Sequence, residues 1–162
     1  MADTPSLADS LRAKRERLTE ELEPKLFEVP GYGSELQVKY RPLSRDERKK
    51  IESSVLRAAR NGEDRAAERG MCRTLGTACL AFYTMRDGEL KLLNEAEGLG
   101  EDAIVWGDRR LAELFGMEIE GEVVTRQIVE YVLGNDDDVL EEHCAEVVRW
   151  MERGRIEADA DF

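Results

Sequence analysis

The stretch from Glu63 to Arg86, EDRAAERGMCRTLGTACLAFYTMR, is the longest run in the chain whose apolar face nothing interrupts. Met71, Leu75, Ala78, Cys79 and Phe82 fall at i, i+4, i+7, i+8 and i+11, the spacing that lines one side of an α-helix. A narrower stripe of Cys72, Gly76 and Tyr83 runs beside it, so the spacing predicts a central helix with neighbours on more than one side. Gly70 and Gly76 each cost about 1 kcal/mol against alanine inside a helix. Either a neighbouring backbone comes close there or they are small surface defects, and both readings stay open. Asp87-Gly88 reads as the stop, since glycine takes up the left-handed conformation favoured at helix C-termini.

A helix of that kind needs a core around it, and 162 residues are enough for one domain without staples. The 41% hydrophobic and 37% charged residues fit a helical protein with heavily charged outer faces, and no apolar run approaches the about 20 residues of a membrane span. The first twenty residues alternate charge with leucine and lack the apolar block and cleavage site of a secretory signal, so a cytoplasmic location is expected. Cys72 and Cys79 are too far apart along one helix to bridge, Cys144 stands alone, and no C-x-x-C pair exists. All three read as small core residues.

Charge is divided unevenly along the chain. Residues 1–86 carry 17 Lys and Arg against 14 Asp and Glu, whereas residues 87–162 carry 7 against 22. Such a dipole can steer partners or favour head-to-tail self-association, and the strongly acidic half disfavours wrapping nucleic acid. Plain solubility explains it equally well.

Taken in order, residues 1–24 predict a charged N-terminal helix with a thin seam of Leu7, Leu11, Leu18 and Leu22, ended by Pro24. So narrow a seam is either an edge helix of the domain or a surface kept for a partner. Residues 25–43 change period: Leu36, Val38 and Tyr40 alternate with Gln37, Lys39 and Arg41 after the Pro30–Ser34 turn, which predicts a β-hairpin. Two strands alone are marginal, so the hairpin must lean on the central helix or offer an edge to another subunit. Ser44 with Glu47 forms a capping box opening a helix to about Asn61-Gly62, with Ile51, Val55, Ala58 and Ala59 inward and Arg45, Arg48, Lys49, Lys50, Arg57 and Arg60 outward. These six cations raise a nucleic-acid reading, but no aromatic platform lies among them.

Glu89–Leu93 reads as a short strand, and Asp108 as the cap of a short helix ending at Gly116. Another helix runs over Glu122–Leu133. A last helix opens at Asp136–Asp138, with Asp138 and Glu141 as its capping pair. It carries Leu140, Cys144, Val147, Val148 and Met151 at the spacing of the central helix, so the two are expected to pack together. Residues 152–162 have no period and read as a frayed tail. The fold class predicted is therefore mainly α: a helical domain over 25–151 with a small N-terminal β-hairpin packed on a central helix.

Chemistry-bearing patterns are sparse. His143 is the one histidine, and Glu141-Glu142-His143 fans over different directions on a helix, so a surface or boundary position is expected. Asp136–Asp138 lacks the alternating ligands and glycine of a calcium loop, and Pro30-Gly31-Tyr32-Gly33 matches no phosphate or dinucleotide fingerprint. No catalytic residue, cofactor site or metal site is assigned, and the chain is expected not to be an enzyme.

The order of a leucine-rich charged helix, Val29-Pro30-Gly31-Tyr32-Gly33 and Leu36-Gln37-Val38-Lys39-Tyr40-Arg41-Pro42-Leu43 resembles tail assembly chaperones of long-tailed bacteriophages of actinobacteria. Asp87-Gly88-Glu89-Leu90, Arg109–Gly116 and Glu146–Met151 fit the same layout, which covers roughly residues 7–151. The resemblance implies a small non-virion protein that binds the tape measure protein in the host cell cytoplasm and keeps it soluble until tail tube subunits displace it. It also implies a longer frameshifted form of the same chain. Partner contacts are then expected at Leu7, Leu11, Leu18 and Leu22, at Leu36, Val38 and Tyr40, and at Arg48 and Lys49, with self-association along the client. A virion structural component of the connector or tail-completion type, and a nucleic-acid-binding regulator using the basic helix, are the alternatives.

Overall fold

The structure, a computed structural model, describes residues 6–19, 22–122 and 124–160, with side chains at all of these except 17–19 and 153–160. Within them the chain forms α1 (Leu7–Thr19), β1 (Lys25–Val29), β2 (Gly33–Tyr40), α2 (Arg45–Arg60), α3 (Ala66–Ala78), β3 (Cys79–Arg86) and β4 (Glu89–Leu92). Then follow α4 (Leu93–Ala96), α5 (Arg109–Leu114), α6 (Thr125–Val132) and α7 (Asp137–Ala160). The four strands make one antiparallel sheet in the order β1-β2-β3-β4. This is an α+β fold, and the mainly α class with a lone small hairpin is incorrect.

The error lies in the central helix. It stops at Ala78, and Cys79 turns to extended backbone at φ −67, ψ 126. The next eight residues become the strand that pairs with β2 on one side and β4 on the other. Met71, Leu75, Ala78, Cys79 and Phe82 still converge on the core, because a helix handing over to a strand can satisfy the same inward positions. Two features favour the strand. The run Phe82-Tyr83-Thr84 prefers a pleated surface. Asp87 and Gly88, with φ of 52 and 76, form a tight hairpin turn between β3 and β4 instead of a helix cap. The amide of Arg41 also takes the terminal carbonyl of α3, Ala78 O, at 2.9 Å.

The starts of α2 and α5 match their sequence signals, and that of α7 in part. The capping box is present, with Ser44 Oγ accepting from the Glu47 amide and Glu47 accepting from the Ser44 amide. Arg41 grips the same carboxylate at 2.8 and 2.9 Å and holds its pKa down at about 2. Asp108 caps α5. At α7 the cap is Asp136, whose Oδ1 accepts from the amides of Asp138 and Val139, and not the expected Asp138–Glu141 pair. The helical backbone of α7 continues to Ala160 where a frayed tail was expected, since propagating an existing helix adds a hydrogen bond per residue without requiring an apolar face.

The core lies between one face of the sheet and α3, α6 and α7. Val38, Tyr40 and Phe82 meet Leu75, Trp106, Ile128, Val129, Leu140 and Val147 there. As expected, α3 packs on α7. Phe82 stands edge-on to Trp106 at 4.8 Å. Loop 97–108 is tied down by the Arg110 guanidinium, which donates to the carbonyls of Leu99 and Asp102 while paired with Asp108.

Both helical glycines mark close approaches, to side chains and not to backbone. A Cβ on Gly76 would lie 2.9 Å from Thr125 Cγ2, and one on Gly70 only 2.3 Å from Val55 Cγ2. Val55 has essentially one favoured rotamer in a helix and cannot swing away. Gly70→Ala is therefore expected to destabilise by about 1–2 kcal/mol despite the better helix propensity. Val55→Ala in the same chain should recover part of that loss in urea unfolding; additive losses would show that the two positions do not compete for space.

Candidate functional site

The nine residues expected to meet a partner do not form one surface. Leu36, Val38 and Tyr40 are buried, because β2 is an interior strand between β1 and β3 and its apolar side faces the core. They cannot contact a partner, and the free edges of the sheet are β1 and β4. Leu22 lies beyond the end of α1 and is half-buried, so the four leucines are not one helical stripe. The Leu18 side chain lies outside the described ones.

Leu7 and Leu11 remain. They are 75% and 57% exposed, one turn apart on α1, which touches α7. Charged Arg12, Lys14 and Arg15 flank them. A second exposed apolar strip was missed by the reading of residues 63–86 as helix. On the side of the sheet opposite Phe82, Met85 and Leu90 pair across β3 and β4, 37% and 42% exposed, next to the Tyr83–Leu92 pair.

Arg48 is engaged by Glu152 at 3.0 Å, linking α2 to α7. Arg65, at the start of α3, likewise reaches Glu130 and Asp137. The basic and acidic halves of the chain thus meet partly within one molecule. Lys49 is exposed and lines a shallow groove of about 400 Å³ with Lys50, Ser53, Ser54, Arg57 and Arg73. Arg73 also borders a larger cleft of about 820 Å³ between α3 and the start of α6, whose lining includes Arg69 and Arg126.

His143 is not at the surface or boundary. It is fully buried, and a chain of hydrogen bonds links Trp106 Nε1 to Tyr40 Oη at 2.8 Å and Tyr40 Oη to His143 Nε2 at 2.9 Å. An indole N–H can only donate, so Tyr40 accepts from Trp106, while the direction of the Tyr40–His143 bond follows the imidazole tautomer: with the proton on Nδ1, the hydroxyl donates to Nε2. Nδ1 is sealed from solvent and has no hydrogen-bond partner among the described residues. Burial lowers the His143 pKa to about 4, keeping the ring neutral, and raises that of Tyr40 well above its usual value. His143 borders a cleft of about 450 Å³ with Lys25, Glu28, Glu142 and Glu146. Among the described residues no three His, Cys, Asp or Glu are grouped to hold a metal.

The three thiols are buried, and burial pushes Cys72 and Cys79 up to about 12 and Cys144 to about 11, which keeps them protonated and weakly nucleophilic. Among the described residues no helix is long and apolar enough to cross a membrane. Compared with protein-family models, curated proteins and solved structures, the chain has no significant match in any of the three.

Proposed function

We propose that this chain is a tail assembly chaperone of a long-tailed phage, a non-catalytic protein that holds apolar helical segments of the tape measure protein in the host cytoplasm and is left out of the finished virion. The observation that carries the reading is the pair Leu7 and Leu11, exposed side by side on a highly charged helix at the margin of the core. Two leucines one turn apart are the minimal ridge for pairing with an amphipathic client helix. Flanking cations keep the free ridge in solution. The exposed Met85 and Leu90 offer a second apolar contact on the sheet. The layout resemblance points to the same client, and tail tube subunits would displace it.

The full chain, tagged and expressed in infected cells, is expected to capture the tape measure protein. Changing Leu7 and Leu11 together to Ser should reduce recovery more than about tenfold, since burying each leucine in a complex is worth about 1.5–3 kcal/mol. Melting of the free protein should hardly change, because both side chains already face water. Undiminished capture by the double variant would remove α1 from the reading, and absence of the tape measure protein from the wild-type capture would end it. Finding the chain at stoichiometric level in purified particles would favour a structural component of the virion instead.

A further inference from the structure

The cleft of about 820 Å³ between α3 and α6 is lined by Arg69, Arg73 and Arg126 together with Thr77, Val124 and Thr125, and among the described residues by no carboxylate. That runs against the charge of the molecule, which is −12 overall. The guanidinium groups are short of partners. Arg69 has one loose pairing, 3.7 Å from Glu63, with both side chains about half exposed. Among the described residues neither Arg73 nor Arg126 has a carboxylate within 4.0 Å. Glu130, one turn beyond Arg126, is taken by Arg65 at 2.9 Å.

Arg126 adds an independent sign. Its Nε is sealed from solvent and has no acceptor among the described residues. A dry, charged donor without an acceptor is costly, and a bound anion that draws on the same guanidinium would offset the cost. The start of α6 supplies further donors. Its N-cap is Val124, which has no side-chain oxygen, and no side-chain cap hydrogen bond is made, so the first-turn amides at Thr125 and Arg126 stand at the positive end of an uncapped helix. Thr77 and Thr125 complete the lining, Thr125 with its methyl group against Gly76 and its Oγ1 on the Gly107 side.

We propose that this cleft binds the phosphate groups of a small polyanionic ligand. Several planar guanidinium forks beside helix amides match a tetrahedral oxyanion with several acceptor oxygens better than a single planar carboxylate. Arg73 joins the cleft to the groove carrying Lys49, Lys50 and Arg57, so positive charge continues beyond a single phosphate position. Pyrophosphate and a nucleoside triphosphate share this chemistry. The site is separate from Leu7 and Leu11, and its failure would leave the chaperone reading standing.

Calorimetric titration of the full chain with pyrophosphate, and in parallel with ATP, should give saturable binding at one site. Arg126→Gln and Arg73→Gln should each weaken it at least about tenfold, the loss of one charge-assisted contact. Lys91→Gln, far along the chain on β4, should leave it unchanged. Circular dichroism checks that each variant is folded, and Arg69→Gln serves as a further test should Arg126→Gln unfold. Equal affinity for the two ligands assigns recognition to the phosphates alone, while tighter ATP binding adds a nucleoside contact to the same site. Absence of saturable binding at millimolar ligand, or binding indifferent to both Arg73→Gln and Arg126→Gln, overturns the proposal. So does a short single-stranded oligonucleotide that binds while pyrophosphate does not.

Discussion

Tyr40→Phe is expected to destabilise the fold by about 2–5 kcal/mol although it removes a single oxygen atom, because that atom satisfies two buried groups, each costing about 1–3 kcal/mol when orphaned. Tyr40 is fully buried, with Trp106 Nε1 donating to its oxygen and His143 Nε2 hydrogen-bonded to the same oxygen at 2.9 Å. Phenylalanine keeps the ring contact with Phe27 at 5.7 Å and leaves little cavity, so the packing loss is small. What it loses is the hinge of the polar chain. Tyr32 provides the control: its hydroxyl donates to Val132 O at 2.6 Å from a half-buried position, where water can replace it. Tyr32→Phe should therefore cost only about 1 kcal/mol. Urea unfolding of the two variants measures both, and a Tyr40→Phe loss no larger than that of Tyr32→Phe would mean that Trp106 and His143 find other partners.

Much of this arrangement is legible in residues whose signal is local. The alternation in Leu36–Tyr40 announces a strand, and Ser44 with Glu47 announces a helix start, since each signal depends on neighbours within four positions. The stripe of Leu140, Cys144, Val147 and Met151 marks a core face, and all four are buried. His143 can be read the same way: it lies three residues after Leu140 and four before Val147, on the same side of the helix. Its polarity argues for the surface, and only Tyr40, 103 residues away, makes burial tolerable.

The stretch from Ala78 to Arg86 is not decidable by periodicity, because inward positions at 78, 79 and 82 suit either a helix or a helix followed by a strand. Asp87-Gly88 holds the missing information, being a strong short hairpin signal between apolar runs. Taking it as a cap turns β3 into helix and leaves β2 at an apparent edge. From that one step follows the assignment of Leu36, Val38 and Tyr40 to a partner surface. The arginine cleft is beyond local reading altogether. Arg69 and Arg73 are one turn apart on α3, but Arg126 arrives from α6, and nothing in its own surroundings marks it.

Acid should weaken this protein earlier than its carboxylates alone would allow, and His143 is the reason. In the unfolded chain a histidine takes up a proton near pH 6.5, whereas burial in the fold lowers its pKa to about 4. Between those values the unfolded state binds the proton and the folded state resists it, so stability falls as pH falls through the window. The stability is fully present above about pH 6.5. By pH 4 the loss approaches about 3 kcal/mol, because each whole number separating the folded and unfolded pKa values is worth about 1.4 kcal/mol. Glu47, held at about 2 by the Arg41 guanidinium and the Ser44 amide, loses its contribution only below the ordinary glutamate range. Neutralising other acidic groups relieves repulsion and acts in the opposite direction, again mainly below pH 5. With one histidine in the chain, the interval from pH 6.5 to 5 belongs to His143. Urea unfolding at pH 7.5, 6.5, 5.5 and 5.0 should show the decline in the wild type and a flat response in His143→Gln, whose amide can still accept from Tyr40. An equal slope in both proteins would place the acid sensitivity outside the Trp106–Tyr40–His143 chain.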